Sequence, residues 1–434
     1  MEIRKSRKGF AVHLPTDSWY GSPRFARLYN LRRFEFPKSW DIHLFEPDLV
    51  DEMVPLSAAE VGERIRTPIG SSALRKLAET RKDAVIIVDD LSRPTPAFAV
   101  IPHLLEELQA GGISPENTTI IIGVGTHRPI SMAEQRRKLG REIVDRIRVV
   151  NHNCFTRRLK TYQRPNGGPD FSINRLVGDA DLKISVSGIL AHGGAGFGGG
   201  AKAILPSVAS YETIRYNHST FDWEGYGIVY PKEITSQGIR RDMELCAREV
   251  GLDFSVNLVY SPLKEVLCLF AGDFVDAHRA GCKMGRRLFL TTAPREKLDI
   301  VIADSHPMDT DIGQSRRGSW PEEYGTRSVL VASARDGWAY HGDGGKSYQT
   351  YRQMRKKQKP LDTYRFKGTG EDSDTEAQAY YSPTIGEDVF YERDAKRRFF
   401  SQWEQVVSEL DGTGKHKTVG IFPYASMQIE QKTD

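Results

Sequence analysis

Ala84-Val-Ile-Ile-Val-Asp-Asp90 is the stretch on which the fold turns. An unbroken, mostly β-branched run has no polar face. As a strand it must be covered on both sides, which is the condition of a parallel sheet between helices. It ends in two carboxylates. From about Ala97 to Ala110, Val100, Leu104, Leu105 and Leu108 recur at helical intervals and the pattern stops at Gly111-Gly112. Thr118-Thr-Ile-Ile-Ile-Gly123 then reads as a second strand, Ile147 to Asn151 as a third and Leu182-Lys-Ile-Ser-Val-Ser187 as a fourth. Polar residues and glycines gather after each strand. In open parallel sheets the ligand crevice lies beyond the carboxyl ends, so these strand ends are expected to converge on one site.

A second block of the same kind begins near Leu288. Lys297-Leu-Asp-Ile-Val-Ile-Ala303 and Ser328-Val-Leu-Val-Ala-Ser333 read as strands, Lys396 to Leu410 as a helix and Val419 to Phe422 as a strand. Between about Tyr340 and Glu392 the chain turns polar, as expected of a mobile insertion. Its basic run Arg355-Lys-Lys-Gln-Lys359 reads as a solvated helix face. The expected fold is α/β: two α/β domains with mostly parallel sheets, residues 1–275 and 276–434, and an active site in the cleft between them.

The bulk properties are those of an ordinary globular protein: 434 residues, 39% hydrophobic, 27% charged. The net charge of +4 comes from 61 basic and 57 acidic residues, too even a balance for a nucleic-acid partner. No apolar run approaches the roughly 18 residues of a membrane span, and no apolar segment follows the charged N-terminus as in a secretory signal. Cys154, Cys246, Cys268 and Cys282 lack CxxC spacing and read as reduced thiols, in keeping with a cytoplasmic protein.

The chemistry concentrates in His192-Gly-Gly-Ala-Gly-Phe-Gly-Gly-Gly-Ala-Lys202, with His218 sixteen residues on. Six glycines and two alanines in eleven positions let the backbone approach a bulky ligand closely. A lysine ending such a loop can bind a phosphate or form a covalent bond, and a neutral histidine can ligate a metal or move a proton. Read alone, the loop fits a glycine-rich surface turn equally well. Asp89-Asp-Leu-Ser-Arg93-Pro-Thr-Pro96 offers a guanidinium fork that could pair with Asp90 or grip a carboxylate or phosphate. His127, in Gly125-Thr-His-Arg-Pro129, stands in a loop too small to bury it and is a candidate proton carrier. His152, in Asn151-His-Asn153, reads as structural.

Taken together, in order and spacing, these segments and the stretch Pro206-Ser-Val-Ala-Ser-Tyr-Glu-Thr-Ile-Arg-Tyr-Asn-His218 resemble the nickel-pincer lactate racemase family. The likeness is strong over about residues 80 to 225 and looser beyond. It implies a cofactor of nickel and pyridinium-3,5-bisthiocarboxylic acid mononucleotide, attached covalently to Lys202, with His218 as nickel ligand. It also implies an N-terminal catalytic domain and a C-terminal domain that completes the substrate pocket. His127 and His192 match the family's acid/base pair. Asp90, Leu91, Ser92 and Arg93 match the segment that contacts cofactor, with Arg93 on the substrate carboxylate. Enzymes that build the cofactor become expected partners, beside a small 2-hydroxy acid as substrate.

A racemase must serve both faces of a planar intermediate, hence two proton carriers rather than one, and histidine titrates in the right range. Gln314-Ser-Arg-Arg317 resembles the family's Gln-x-x-Lys substrate motif, with Arg317 in place of lysine and Gly313 where lactate-specific members often carry a bulky aromatic. Gln402-Trp403 resembles a family helix start, so Trp403 is a candidate wall of the site, though it suits a core position equally. Arginine is a wider, bidentate donor than lysine. The expectation is therefore a racemase or epimerase of an acid larger than lactate, malate or a sugar acid such as gluconate. The alternatives are a lactate racemase proper, a zinc hydrolase using the same three histidines, and a phosphate-binding module on the glycine loop. The last lacks the GxxxxGK[ST] pattern.

Overall fold

The computed structural model describes residues 1–16, 31–165, 167–220, 238–338, 378–391, 394, 397–412 and 414–431. The chain forms two compact units, Met1–Val50 with Phe289–Asp434, and Asp51–Leu288. It lays down β1 (Trp40–Leu44) in the first unit and then builds the whole of the second. The second holds β2 (Ala84–Asp89), β3 (Thr118–Gly123), β4 (Arg148–Asn151), β5 (Leu182–Gly188), β6 (Phe254–Tyr260) and β7 (Val266–Gly272). Back in the first, β8 (Leu298–Asp304), β9 (Gly325–Val331), β10 (Gln378–Tyr381), β11 (Arg398–Phe400) and β12 (Lys417–Phe422) complete the second sheet.

In the Asp51–Leu288 unit the sheet order is β7-β6-β5-β2-β3-β4, parallel except for the antiparallel β6–β7 pair. Ala84 to Val88 are almost wholly buried, as an apolar run at the middle of a covered sheet requires. Among its helices are α1 (Ile101–Ala110), α2 (Met132–Leu139), α3 (Tyr211–Thr220) and α4 (Ile239–Val250). Pro102 lies in the first turn of α1, where its missing N–H costs nothing. A reciprocal Ser131/Glu134 capping box starts α2. From β2 the chain steps outward to β3 and β4, then crosses back to β5 on the other side of β2. The reversal between β2 and β5 makes their carboxyl ends the crevice of this sheet.

The other unit carries an all-parallel sheet, β11-β10-β9-β8-β12-β1. Its loop after β8 leads into α5 (Ile312–Ser315), capped by Asp311, and α6 (Trp403–Asp411) packs on the sheet. Three expectations are corrected here. The first fifty residues belong with the C-terminal segment rather than with 51–275, because β1 hydrogen-bonds to β12. Within the supposed insertion, 378–391 contains a sheet strand, β10, and a short helix at Glu387–Tyr391. The rest of that segment that bears the basic run, 339–377, lies outside the described residues. The final helix begins at Trp403, not Lys396. Among the described residues no helix is long and apolar enough to cross a membrane.

Candidate active site

Three neighbouring strands of the Asp51–Leu288 unit, β5, β2 and β3, end in the three loops singled out in the sequence. The Asp90–Arg93 turn follows β2. Asp90 is buried, and its Oδ1 accepts from the Ser92 backbone N–H at 3.0 Å and from Ser92 Oγ at 2.5 Å. Its Oδ2 lies 2.7 Å from His127 Nδ1, in the loop after β3. Burial pushes the Asp90 carboxyl up, but His127, Ser92 and the Arg93 charge together hold it well below the usual carboxylate range. Arg93 Nη1 donates to Ser92 Oγ at 3.0 Å, and Leu91 is half-buried in the same turn. The expected Asp90–Arg93 relation is thus part of a network in which His127 is the direct partner of the carboxylate.

That contact defines His127. A carboxylate at Nδ1 draws the proton of the neutral ring there and leaves Nε2 with its lone pair. His192, in the loop after β5, is set the other way. Its Nδ1 accepts from the backbone N–H groups of Gly194 at 3.3 Å and Ala195 at 3.1 Å, so the neutral ring carries its proton on Nε2. Lys202 Nζ lies 3.3 Å from that Nε2. The two loops thus set opposite partners against the two Nδ1 atoms, an acceptor at His127 and donors at His192.

The glycine loop is built for close approach to protein as well as to ligand. Gly199 and Gly200 have φ of +83° and +56°, and an added Cβ would meet Asn257 Oδ1 at 2.7 Å and the Phe274 carbonyl at 2.8 Å. Asn257 Oδ1 accepts from Gly200 N at 2.9 Å, and His278 Nε2 donates to Gly198 O at 2.8 Å. Beyond Lys202, Ser207 Oγ donates to its carbonyl at 2.7 Å, and Ser207 O accepts from Gly125 N at 2.9 Å, tying this loop to the one that bears His127.

His218 occupies the last turn of α3. The neighbouring Asn217 is anchored by its Nδ2 on Asp242 Oδ2 at 2.8 Å, and Asp242 pairs with the buried Arg164. Burial, then the nearby charge of Lys202 and that of His127, push the His218 imidazole down to about 4 despite the hydrogen bond its ring donates to the Ile214 carbonyl. It is therefore neutral at neutral pH, the form that binds a metal. His152 is structural as expected: Nε2 contacts Ala209 O at 2.9 Å and Nδ1 contacts Asn174 Nδ2 at 3.2 Å.

The remaining expected residues lie in the other unit. Gln314 is buried on α5, its backbone N–H bonded to Asp311 Oδ1 at 2.9 Å and its Nε2 3.6 Å from Met308 Sδ. Arg317, one turn on, is half-buried. Trp403 is a core residue instead of a pocket wall. Its ring packs edge-on against Phe34 and Phe36, with centroids at 4.7 and 5.6 Å, and its indole N–H donates to Glu35 O at 2.9 Å.

Several contributors have no signal in the sequence. Lys138, buried on α2, donates to the carbonyls of Asp90 at 3.0 Å and Arg93 at 2.6 Å and pairs with Asp89 at 2.6 Å. A lysine among the polar residues of a short helix looks solvated until the loop beneath it is seen. Asn257 and His278 are equally silent, because they act from a strand and a helix remote in sequence.

The sequence profile of the lactate racemase N-terminal domain matches residues 29–225. Lactate racemase of Lactiplantibacillus plantarum is 36% identical over 304 residues, covering 67% of this chain and 69% of that protein. Lactate racemase of Thermoanaerobacterium thermosaccharolyticum is 32% identical over 321 residues, 71% of this chain and 72% of its own. The lactate racemase apoprotein structure from the latter organism superposes with a TM-score of 0.67 at 24% identity, over 97% of this chain and 100% of that one. A crystal structure of a Thermotoga maritima protein gives a TM-score of 0.61 at 18% identity, over 87% and 99%. Both structures share the fold. With identity to two racemases sustained over more than two thirds of their length, and a domain match that spans His127, His192, Lys202 and His218, the chain belongs to the lactate racemase family.

Proposed function

We propose that this chain is a racemase or epimerase of a 2-hydroxy acid larger than lactate, working with a nickel-pincer nucleotide tethered to Lys202. The observation that carries the reading is the pair of histidines whose Nδ1 atoms meet opposite partners, the Asp90 carboxylate at His127 and the backbone N–H groups of Gly194 and Ala195 at His192. The residues suit the cofactor. Lys202 supplies a primary amine at the end of a loop nearly free of side chains, and His218 supplies a neutral imidazole nitrogen. When bound, that group would take up and return the hydride of the substrate's Cα.

The protein's own groups do the rest. Arg93 holds the substrate carboxylate, which stays in place while the reacting carbon changes face. His127 takes the hydroxyl proton at Nε2, and Asp90 steadies the imidazolium that results, remaining ionised throughout. His192 gives a proton from Nε2 on the opposite side, and the roles exchange for the other enantiomer. Gln314 and Arg317 are assigned to the distal part of the substrate. A zinc hydrolase is disfavoured because, among the described residues, no three His, Cys, Asp or Glu side chains gather into a metal-holding group. A lactate racemase proper is the second reading, favoured by the names of both relatives.

The test is production together with the cofactor-building enzymes, intact-mass and nickel analysis, and a racemisation screen over lactate, malate and sugar acids. A covalent adduct on Lys202 with turnover of a 2-hydroxy acid is expected. An adduct-free protein that stays inert over the panel overturns the reading, and turnover confined to lactate decides for the second.

A further inference from the structure

Arg240 sits in the first turn of α4, next to the positive end of the helix dipole, and is only 5% exposed. Among the described residues no carboxylate forms an ion pair with it. A cation so placed needs other compensation. It is found in the glycine loop: Nε donates to Ala195 O at 3.2 Å, Nη1 to Gly199 O at 3.0 Å, and Nη2 to Phe197 O. Three nitrogens of one planar fork take three alternate carbonyls of the loop.

Two of those positions lead directly to the reacting side chains. The N–H of Ala195 is a donor to His192 Nδ1, and Gly199 O also accepts the backbone N–H of Lys202 at 3.3 Å. We propose that Arg240 is a positioning residue: by gripping the carbonyls of Ala195, Phe197 and Gly199 it sets the His192 ring and the Lys202 amine in the register needed for cofactor attachment. Burial pulls the guanidinium down only to about 10, so it stays charged at neutral pH and its grip is constant. Lysine cannot replace it, since a single ammonium has no planar fork to span three carbonyls. The attachment step rests on the proposed function, whereas the grip on the loop does not.

Two measurements test this separately. Hydrogen–deuterium exchange on the apoprotein compares wild type with Arg240→Lys and Arg240→Met, reading the 189–205 loop against β5 and β6. Loop amides should exchange at least about tenfold faster in both variants, with β5 and β6 unchanged. Non-denaturing guanidinium, but not ammonium, should restore protection in Arg240→Met. In protein made with the cofactor-building enzymes, the Lys202 adduct fraction should fall in both variants and recover with guanidinium during loading. Full loop protection in Arg240→Lys, loss of protection spread equally over β5 and β6, or unfolding of both variants would overturn the positioning role. A wild type without adduct would sink the functional reading while leaving the exchange result to judge Arg240.

Discussion

His127 Nδ1 lies 2.7 Å from Asp90 Oδ2, and this contact decides which nitrogen of His127 is left to react. Asp90→Asn keeps the shape but replaces the acceptor with an amide that can donate, so the ring no longer holds its proton on Nδ1. The expected result is a fall in kcat of about 10²–10⁴-fold with an unchanged melting temperature. Because Asp90 is held below the usual carboxylate range, it stays ionised as pH falls through the imidazole range. The acid limb of the wild-type pH–rate profile should therefore persist in the variant. A variant within threefold, or about half a log unit, of wild-type kcat would remove Asp90 from the role.

Lys202 and His218 should fail in different ways. Lys202→Ala removes the amine and should abolish the covalent adduct seen by intact mass after denaturation. His218→Ala should leave the organic adduct in place and lose nickel on dialysis. Full nickel occupancy in the second variant would exclude His218 from the coordination sphere, and a surviving adduct in the first would exclude Lys202 as the tether.

Acid sensitivity has an identifiable source in His152. Burial, offset in part by its bond to Ala209 O, pushes its imidazole from 6.5 down to about 4. Above 6.5 both folded and unfolded chains leave it neutral. Between 6.5 and about 4 only the unfolded chain takes the proton, so stability declines as pH falls through this window and levels off below it. The full loss is about 3 kcal/mol. His278, buried and also held well below 6.5, adds to the loss with the same sign. Denaturant midpoints taken across the window should shift less in His152→Asn than in wild type. Equal shifts would place the acid sensitivity elsewhere.

What was legible in the sequence was what local pattern dictates. Apolar runs announced β2, β3 and β5, and the polar loops behind them held His127, His192 and Lys202. The strand β6, Phe254-Ser-Val-Asn-Leu-Val-Tyr260, was not legible because Ser255 and Asn257 interrupt its run. Ser255 is satisfied inside the sheet by Ser185 Oγ at 3.0 Å, and Asn257 by Gly200 N of the glycine loop at 2.9 Å. Arg240 has no signal in the sequence, since its three acceptors lie more than forty residues away. The joining of β1 to β12 is likewise a long-range pairing that no local pattern encodes.

Trp403 shows the converse, a family position whose side chain serves packing. Trp403→Ala removes the ring lodged among Phe34, Phe36 and Tyr381 and should cost about 3–5 kcal/mol in a denaturant titration. Intact stability with a raised KM would return Trp403 to the pocket.

Substrate choice is proposed to rest on Gly313 and Arg317. Asp311 caps the short helix that carries Gln314, and Arg317 lies in the 3-10 turn that follows it. By the family resemblance, glycine at 313 would leave room where lactate-specific members often carry a bulky aromatic, and the guanidinium would offer two parallel donors to a distal carboxylate or hydroxyl pair. Malate or a sugar acid should accordingly show a higher kcat/KM than lactate. Truncating an arginine that pairs with a buried carboxylate costs roughly 2–5 kcal/mol, about 30- to several-thousand-fold. Arg317→Ala should impose a loss of that size on the larger acid and little on lactate, which has nothing to place against the fork. Arg317→Lys should fall between, keeping the charge without the bidentate geometry. An equal loss for both substrates in Arg317→Ala would show that Arg317 acts on the shared carboxylate or on the loop itself, and the size preference would then need another origin.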